Sequence, residues 1–140
     1  MGSMETFRGV AHPWLCDVMA HLNTRNYVAM FDDAGMHAFA QLGFDWSKVQ
    51  ETKMGWADVK AELELKAEVP LGALVVVRST VERVGNSSLT IVHRMYDAGG
   101  DTLHAEMRVV TVYFDLSARK SNALPAGVRE SAQRMISEEG

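Results

Sequence analysis

The chain has 140 residues, of which 47% are apolar and 23% are charged, and its formal net charge is −4. This length fits one domain with a hydrophobic core, and the two fractions are ordinary for a soluble globular protein. A protein that binds nucleic acid usually carries a basic face, so the acidic balance argues against that partner.

Cysteine usage and the N-terminus indicate the compartment. The single cysteine, Cys16, excludes an internal disulfide framework and is typical of a reducing environment. No apolar run reaches the roughly 18 residues of a membrane span, and the N-terminus is too polar for a secretory signal. We therefore expect a cytoplasmic protein with no membrane partner. Residues 1–3 are interpreted as an expression remnant, which leaves a single domain over residues 4–140.

The chain begins with a predicted strand and a long helix. The strand is expected within Thr6–Leu15, with Pro13 near its end or at an edge because proline cannot donate to a ladder. The helix is expected over Tyr27–Phe44, where the residues are apolar on most sides. A surface helix shows a wider polar face, so this helix is predicted to be largely enclosed by other structure.

Local signals refine the helix. Asn23 or Thr24 can cap its start, and Gly43 can end it. Gly35 lies in the helix interior, where glycine costs about 1 kcal/mol relative to alanine. A close approach between helix and sheet would explain that choice. One polar stripe recurs every four residues, at Asp33, His37 and Gln41.

The second half of the chain has strand signals. From Ala57 to Val69 apolar and charged residues alternate throughout, which predicts a long strand with one wet face. Short turns then separate three antiparallel strands, predicted over Leu74–Val84, Ser88–Tyr96 and Leu103–Leu116. A short amphipathic helix follows Pro125, marked by Val128, Ala132, Met135 and Ile136. The pattern favours an α+β fold.

A motif stands between the first strand and the helix, in the segment CDVMAHLNTRNYVAMF from Cys16 to Phe31. It resembles the signature of the 4-hydroxybenzoyl-CoA thioesterase-like hotdog family. That signature has an aspartate, a small residue three positions on, a His-(Val/Leu)-Asn-Asn run, and a tyrosine ten positions after the aspartate. The matching positions are Asp17, Ala20, His21, Leu22, Asn23, Thr24 and Tyr27. The element order after Tyr27 also matches, so the resemblance covers nearly the whole chain.

The resemblance implies a fold and an activity. The implied fold is a hotdog, with a long central helix wrapped by a five-stranded antiparallel sheet and a short C-terminal helix. The implied function is hydrolysis of a small or medium acyl-CoA to free acid and CoA. We expect turnover without a metal or other cofactor, because the sequence contains no motif for a metal or a nucleotide. Relatives assemble as homodimers or homotetramers with the active site between subunits.

Two positions depart from the family signature. The usual glycine is Ala20, so a positive φ at this position would be strained. The second asparagine is Thr24, a position that varies among related branches and therefore says little about the substrate.

Asp17 is the predicted catalytic residue. Thioester hydrolysis requires a base or nucleophile and donors for the developing oxyanion. A helix that begins about six residues after Asp17 offers unpaired N–H groups around Thr24–Tyr27 and the positive end of its dipole. Asp17 can attack directly, giving a mixed anhydride, or deprotonate a water. The plainer interpretation of such an aspartate is a capping or turn residue.

Further residues are predicted to bind substrate: His21, Asn23, Thr24, Arg25, Tyr27 and Trp56. Four of them have a structural alternative, since His21 and Asn23 can hold the strand-to-helix corner and the two aromatic residues can belong to the core. Cys16 is interpreted as a small hydrophobe. No metal site is predicted, because the spacings of His12, Cys16, His21 and His37 match no common ligand motif.

Other functions remain open from the sequence. In a second hotdog branch the catalytic carboxylate lies on the helix, which makes Asp32 and Asp33 competitors, or they pair across a subunit interface. A non-catalytic module that binds acyl-CoA or an acyl carrier is the alternative function. A dehydratase of the same fold would require a catalytic histidine with an acidic partner, for which only His37 near Asp33 is a candidate.

Overall fold

The computed structural model describes residues 2–139, with side chains described up to residue 136. The helices in this range are α1 (Thr24–Gln41), α2 (Val49–Thr52) and α3 (Ala126–Glu139). The strands are β1 (Ser3–Val10), β2 (Met54–Leu65), β3 (Leu74–Val84), β4 (Ser88–Asp97), β5 (Leu103–Asp115) and β6 (Lys120–Ser121). Single 3-10 turns lie at Pro13–Leu15 and Trp46–Lys48.

The strands form one antiparallel sheet in the order β1-β3-β4-β5-β2, with the two-residue β6 beside β5. Strands β1 and β2 are therefore the edges. β1 begins at Ser3 and ends before Pro13, earlier than the predicted range, because Pro13 opens a 3-10 turn. Five long antiparallel strands curled over a long helix confirm the predicted α+β hotdog architecture.

Both ends of α1 follow from local sequence. The side chain of Asn23 caps the helix by accepting a hydrogen bond from the N–H of Arg25. Gly43 lies just past the end with φ +101°, in the left-handed region that favours glycine, and its N–H donates to the carbonyl of Ala40. The buried face packs against β1, β3 and β4 and consists of Tyr27, Met30, Phe31, Ala34, Ala38 and Phe39.

The opposite side of α1 is open in the single chain. Val28 is 44% exposed and Met36 45% exposed, and the carboxylates of Asp32 and Asp33 lie on the same uncovered side. The prediction of a largely enclosed helix is therefore wrong for one chain, in which Asp32 and Asp33 are both exposed. The physical reason is that α1 packs toward the β1 side of the sheet and leaves the β2 side uncovered.

A bulge changes the faces of β2. Asp58 pairs with Thr111 of β5, whereas Lys60 pairs with its neighbour Val110, so Val59 has no partner residue. One extra residue in a strand reverses the side on which all following side chains lie.

The face prediction for β2 is corrected accordingly. Trp56 and Asp58 share the inner face before the bulge, and Ala61 and Leu63 share it afterwards. One uninterrupted alternation of apolar and charged residues would place Asp58 on the solvent-facing side of the strand. This prediction is wrong, because Asp58 lies on the inner face. The strand also ends at Leu65, four residues before the predicted end.

The C-terminal helix α3 closes the other side of the core. Val128 and Ala132 are buried and pack with Leu124, Phe39, Leu42, Val81, Leu89 and Ile91. The amphipathic helix predicted after Pro125 is confirmed. Within the described range, no helix combines the length and apolar character that a membrane crossing requires.

Candidate active site

Asp17 opens a tight turn ahead of α1. Cys16 and Leu22 form an antiparallel bridge, and between them the N–H of Asp17 donates to the carbonyl of His21 at 3.1 Å. The N–H of Ala20 donates back to the carbonyl of Asp17 at 2.9 Å. Ala20 adopts φ +63°, so the strain expected from an alanine at the glycine position is present.

The carboxylate of Asp17 is held at both oxygens. Oδ1 accepts from the N–H of Met19 at 3.0 Å, and Oδ2 accepts from Nδ2 of Asn23 at 3.3 Å. The other end of the same amide, Oδ1 of Asn23, accepts from the N–H of Arg25 at 3.2 Å. One side chain therefore caps α1 and positions the carboxylate beside the helix N-terminus.

Few N–H groups at this helix end remain available. The N–H of Asn23 donates to the carbonyl of Leu15. The N–H groups of Arg25 and Asn26 both donate to Asn23, the first to its side chain and the second to its carbonyl. Among the described residues, the N–H of Thr24 has no such partner. Of the oxyanion donors predicted around Thr24–Tyr27, the N–H of Thr24 is therefore the candidate that we retain.

Asp17 and Thr24 line a common cavity of about 240 Å³. Its other walls are Met19, His21, Leu22, Tyr27, Leu65, Lys66, Ala67 and Glu68. Nε2 of His21 lies 3.1 Å from Oε2 of Glu68. The hydroxyl of Tyr27 accepts a hydrogen bond from the N–H of Val69, and burial raises the pKa of this phenol. We refer to this space as the Asp17 cavity.

The predicted site residues separate into two groups. Asp17, His21, Thr24 and Tyr27 line the Asp17 cavity, and Asn23 contacts Asp17. Arg25 is exposed, and its side chain donates to Oδ1 of Asn23. Trp56 lies elsewhere, on β2.

Two charged lining residues, Lys66 and Glu68, were not predicted from the sequence, and Cys16 was predicted to have only a structural role. Lys66 and Glu68 belong to the charged series of the predicted strand, and that series was their only signal. Cys16 is half-buried and packs against the core, and its Sγ donates to the carbonyl of Ala11. This placement agrees with the predicted small hydrophobe.

A second cavity of about 210 Å³ lies between α1 and strands β2, β4 and β5. Aromatic and apolar side chains form most of its wall: Phe31, Met36, Phe39, Trp46, Trp56, Ile91, Met107 and Val109. The Phe39 and Trp56 rings stack with centroids 4.3 Å apart. We refer to this space as the helix–sheet cavity.

Polar groups also face the helix–sheet cavity. They belong to Asp32, Asp58, Thr111 and His93. The hydroxyl of Thr111 donates to Oδ1 of Asp58 at 2.8 Å. His93 is 2% exposed, and burial lowers the pKa of its imidazole to about 4, so the ring is neutral near pH 7. His93 was not predicted as a site residue, although its spacing from Leu89, Ile91 and Met95 places it on the inner face of β4.

The aspartates of α1 differ in position. Asp32 lines the helix–sheet cavity, whereas Asp33 and His37 are exposed and line neither of the two cavities described. A dehydratase would require His37 and Asp33 to act together in an enclosed site. Neither side chain faces one of the two cavities. Within residues 2–136, no three His, Cys, Asp or Glu side chains converge as metal ligands would.

A profile of the thioesterase-like superfamily matches residues 11–131. Because this match spans most of the chain, the chain belongs to the thioesterase-like superfamily. The family assignment confirms the resemblance seen at the motif and the expectation of a thioester hydrolase. Among curated proteins, none matches this sequence.

Solved structures share the fold. A hypothetical protein from Staphylococcus aureus in complex with CoA has a TM-score of 0.83 at 16% identity, covering 99% of this chain and 85% of that one. A 1,4-dihydroxy-2-naphthoyl-CoA thioesterase from Synechocystis has a TM-score of 0.82 at 14% identity, with coverages of 94% and 96%. A gentisyl-coenzyme A thioesterase has a TM-score of 0.79 at 21% identity, with coverages of 90% and 98%. These likenesses confirm the hotdog fold.

Proposed function

We propose that this protein is an acyl-CoA thioesterase that hydrolyses a small or medium acyl-CoA to the free acid and CoA. The observation that carries the proposal is that one cavity is lined by both Asp17 and Thr24, whose N–H has no partner among the described residues. A thioester carbonyl directed at this N–H would be polarised by the helix end while its carbon faces the carboxylate. The CoA complex of one structural neighbour and the CoA thioesters named for two others agree with this substrate class.

Asp17 acts either as a nucleophile or as a general base. In the first, a carboxylate oxygen attacks the thioester carbon, the C–S bond breaks, and water hydrolyses the resulting anhydride after the CoA thiolate takes a proton. In the second, Asp17 takes a proton from water, the hydroxide attacks, and the thiolate again leaves and is protonated. Asn23 serves both routes by holding Oδ2.

We propose substrate-binding roles for the other residues on the basis of their positions. His21, Thr24 and Tyr27 contribute walls of the Asp17 cavity, with Asn23 behind them. Trp56 contributes to an acyl pocket in the helix–sheet cavity, whose apolar walls suit that group. Arg25 is exposed beside Asn23 and is available to an anionic part of CoA.

We further propose that the protein self-associates as a homodimer or homotetramer. The lining residues Phe31 to Phe39 lie 8 to 16 positions after the Asn23 cap, which places them roughly 12–24 Å along α1 from the helix end that holds Asp17 of the same chain. A small acyl group cannot span that length. A second copy packed on the open side of α1 and β2 would bring Asp17 of the partner subunit toward this cavity.

The setting of the reaction completes the proposal. We place the enzyme in the cytoplasm, in agreement with its single half-buried cysteine, with neither nucleic acid nor membrane as partner and with no cofactor.

The test compares two aspartate variants. Asp17→Asn keeps size and most hydrogen bonds but removes the charge, so kcat for an acyl-CoA ester is expected to fall roughly 10²- to 10⁴-fold with little change in KM. Asp33→Asn is the matched control, because Asp33 is exposed and lines neither of the two cavities. Thiol release is measured with short, branched, aromatic and longer acyl-CoA esters.

Two outcomes would contradict the proposal. Wild-type activity in Asp17→Asn with a hundredfold loss in Asp32→Asn would move the chemistry to the helix. Calorimetric binding of the esters without any thiol release would favour the non-catalytic acyl-CoA module, in which Asp17 is only a turn residue.

A further inference from the structure

Three aromatic rings form one corner of the helix–sheet cavity. They belong to Phe39 of α1, to Trp46 in the 3-10 turn that follows, and to Trp56 of β2. The Phe39 ring stacks on that of Trp56 with 30° between the planes, and it lies nearly perpendicular to that of Trp46, at 88°. Because Phe39 is buried and packs against both indoles, the three rings hold one another in place.

The two indoles offer ring carbons, and not N–H groups, to a ligand in this cavity. Nε1 of Trp46 donates to the carbonyl of Met36 at 2.8 Å. Nε1 of Trp56 is buried and has no partner among the described residues, so a ligand in the cavity does not reach it. An aromatic ring is negative on its face and attracts a cation that comes within about 6 Å of the ring centre. This corner therefore suits a cation with an apolar surface.

Among the described residues that line the cavity, every charged side chain is acidic. Asp32 of α1 and Asp58 of β2 face it from two different elements, and neither lysine nor arginine is part of this lining. The hydroxyl of Thr111 donates to Oδ1 of Asp58 and orients that carboxylate. His93 adds no positive charge near pH 7, because burial lowers the pKa of its imidazole to about 4. The electrostatic potential in the cavity therefore favours a cation and opposes an anionic ligand.

The size and the walls of the cavity select the kind of cation. An apolar cavity of roughly 150 Å³ accepts benzene, so about 210 Å³ has room for a trimethylammonium group. A primary ammonium is strongly hydrated and carries three N–H donors that each need an acceptor. Apolar and aromatic side chains, which form most of the wall, do not supply these acceptors. A quaternary ammonium has no N–H, and its methyl groups carry the charge to the ring surfaces.

We propose that the helix–sheet cavity binds a cationic acyl group, namely a short or medium acyl chain that ends in a quaternary ammonium. The methyl groups of the cation contact Phe39, Trp46 and Trp56, and the carboxylates of Asp32 and Asp58 balance its charge. This inference rests on the proposed function, because it names the acyl group that the thioesterase prefers. It makes Asp32 and Asp58 specificity-determining residues that take no part in the hydrolysis itself.

The kinetic test compares two esters of the same shape. In 4-(trimethylammonio)butanoyl-CoA a charged nitrogen takes the place of the branched carbon of 5,5-dimethylhexanoyl-CoA, and three methylene groups separate it from the thioester in both. With wild-type protein, kcat/KM for the cationic ester is expected to exceed that for the neutral ester roughly 10- to 100-fold.

Variants assign this preference to the cavity. Asp32→Asn and Asp58→Asn each remove one negative charge, so each should lower the ratio of the two kcat/KM values roughly 3- to 10-fold while the neutral ester is still hydrolysed. Asp33→Asn removes the same charge from an exposed position that lines neither cavity, so it should leave the ratio unchanged. Equal kcat/KM for the two esters in wild-type protein, or an unchanged ratio in both cavity variants, would overturn the proposal.

A second measurement does not depend on turnover. In proton NMR, saturation of the protein signals should transfer to the methyl groups of tetramethylammonium and not to those of tert-butanol at the same concentration. Trp56→Leu keeps an apolar wall but removes the indole, so the transfer should weaken. Equal transfer to both probes, or undiminished transfer in Trp56→Leu, would refute the cation site. Lack of hydrolysis of every ester, with the tetramethylammonium response present, would instead refute the proposed function alone.

Discussion

At the scale of single residues, the motif predicted the Asp17 region well. The turn, the Asn23 cap and the Ala20 strain all lie where the sequence placed them, because they depend on contacts between residues close in sequence. His93 and Glu68 were not predicted as site residues. Their roles depend on contacts across the sheet and with a distant loop, which no local pattern records.

Ala20 gives a prediction about stability. An L-residue in the left-handed region costs about 1–2 kcal/mol, and glycine at position 20 would remove this cost. Part of the gain in stability is offset because glycine loses more chain entropy on folding. Ala20→Gly should therefore raise the free energy of unfolding by roughly 0.5–1 kcal/mol. Chemical denaturation measures this change.

A control with the opposite sign is available on α1. Ala29 is exposed in the helix interior, so Ala29→Gly should lower the free energy of unfolding by about 1 kcal/mol. If Ala20→Gly were destabilising to the same extent, the φ of +63° would not be a source of strain.

At the scale of elements, types and order were predictable, whereas faces were not always. Strand β3 has the predicted bounds, because its pattern ends at clear turn signals. β2 shows the limit, since the bulge at Val59 moves Asp58 to the inner face without any change in composition. The exposure of one side of α1 was not predictable for a similar reason. An apolar helix surface can be covered either by its own chain or by another chain, and the sequence does not distinguish the two.

Gly35 provides the prediction for α1. The expected close approach to the sheet is not observed, since an added Cβ would meet its nearest atom at 3.9 Å, an ordinary contact distance. Gly35→Ala should therefore raise the free energy of unfolding by up to about 1 kcal/mol. The new methyl group lies beside Nε2 of His93, so KM for ring-containing esters should rise while that for acetyl-CoA changes little. Thermal unfolding and thiol release measure the two effects, and a destabilised variant would contradict the spacing.

At the scale of the whole molecule, the uncovered surfaces of α1 and β2 predict self-association at micromolar concentration. Val59 is 62% exposed on the open edge, where a charged side chain opposes pairing with another strand. Val59→Lys should therefore sediment as a monomer and lose activity. Leu74→Lys, at a residue 57% exposed on the interior strand β3, should remain associated. A strictly monomeric and active wild-type protein would exclude a site shared between subunits.

The distribution of the indole rings has a spectroscopic consequence. Trp46 and Trp56 line the helix–sheet cavity, whereas Trp14 is 73% exposed and stacks on His12 in the segment just before Asp17. Intrinsic fluorescence thus divides into a shielded component and a solvated one. An aromatic ligand that enters the cavity quenches the shielded, shorter-wavelength component, and iodide quenches the emission of Trp14. The chain consequently carries its own optical reporters for the two regions of the site, without any attached dye.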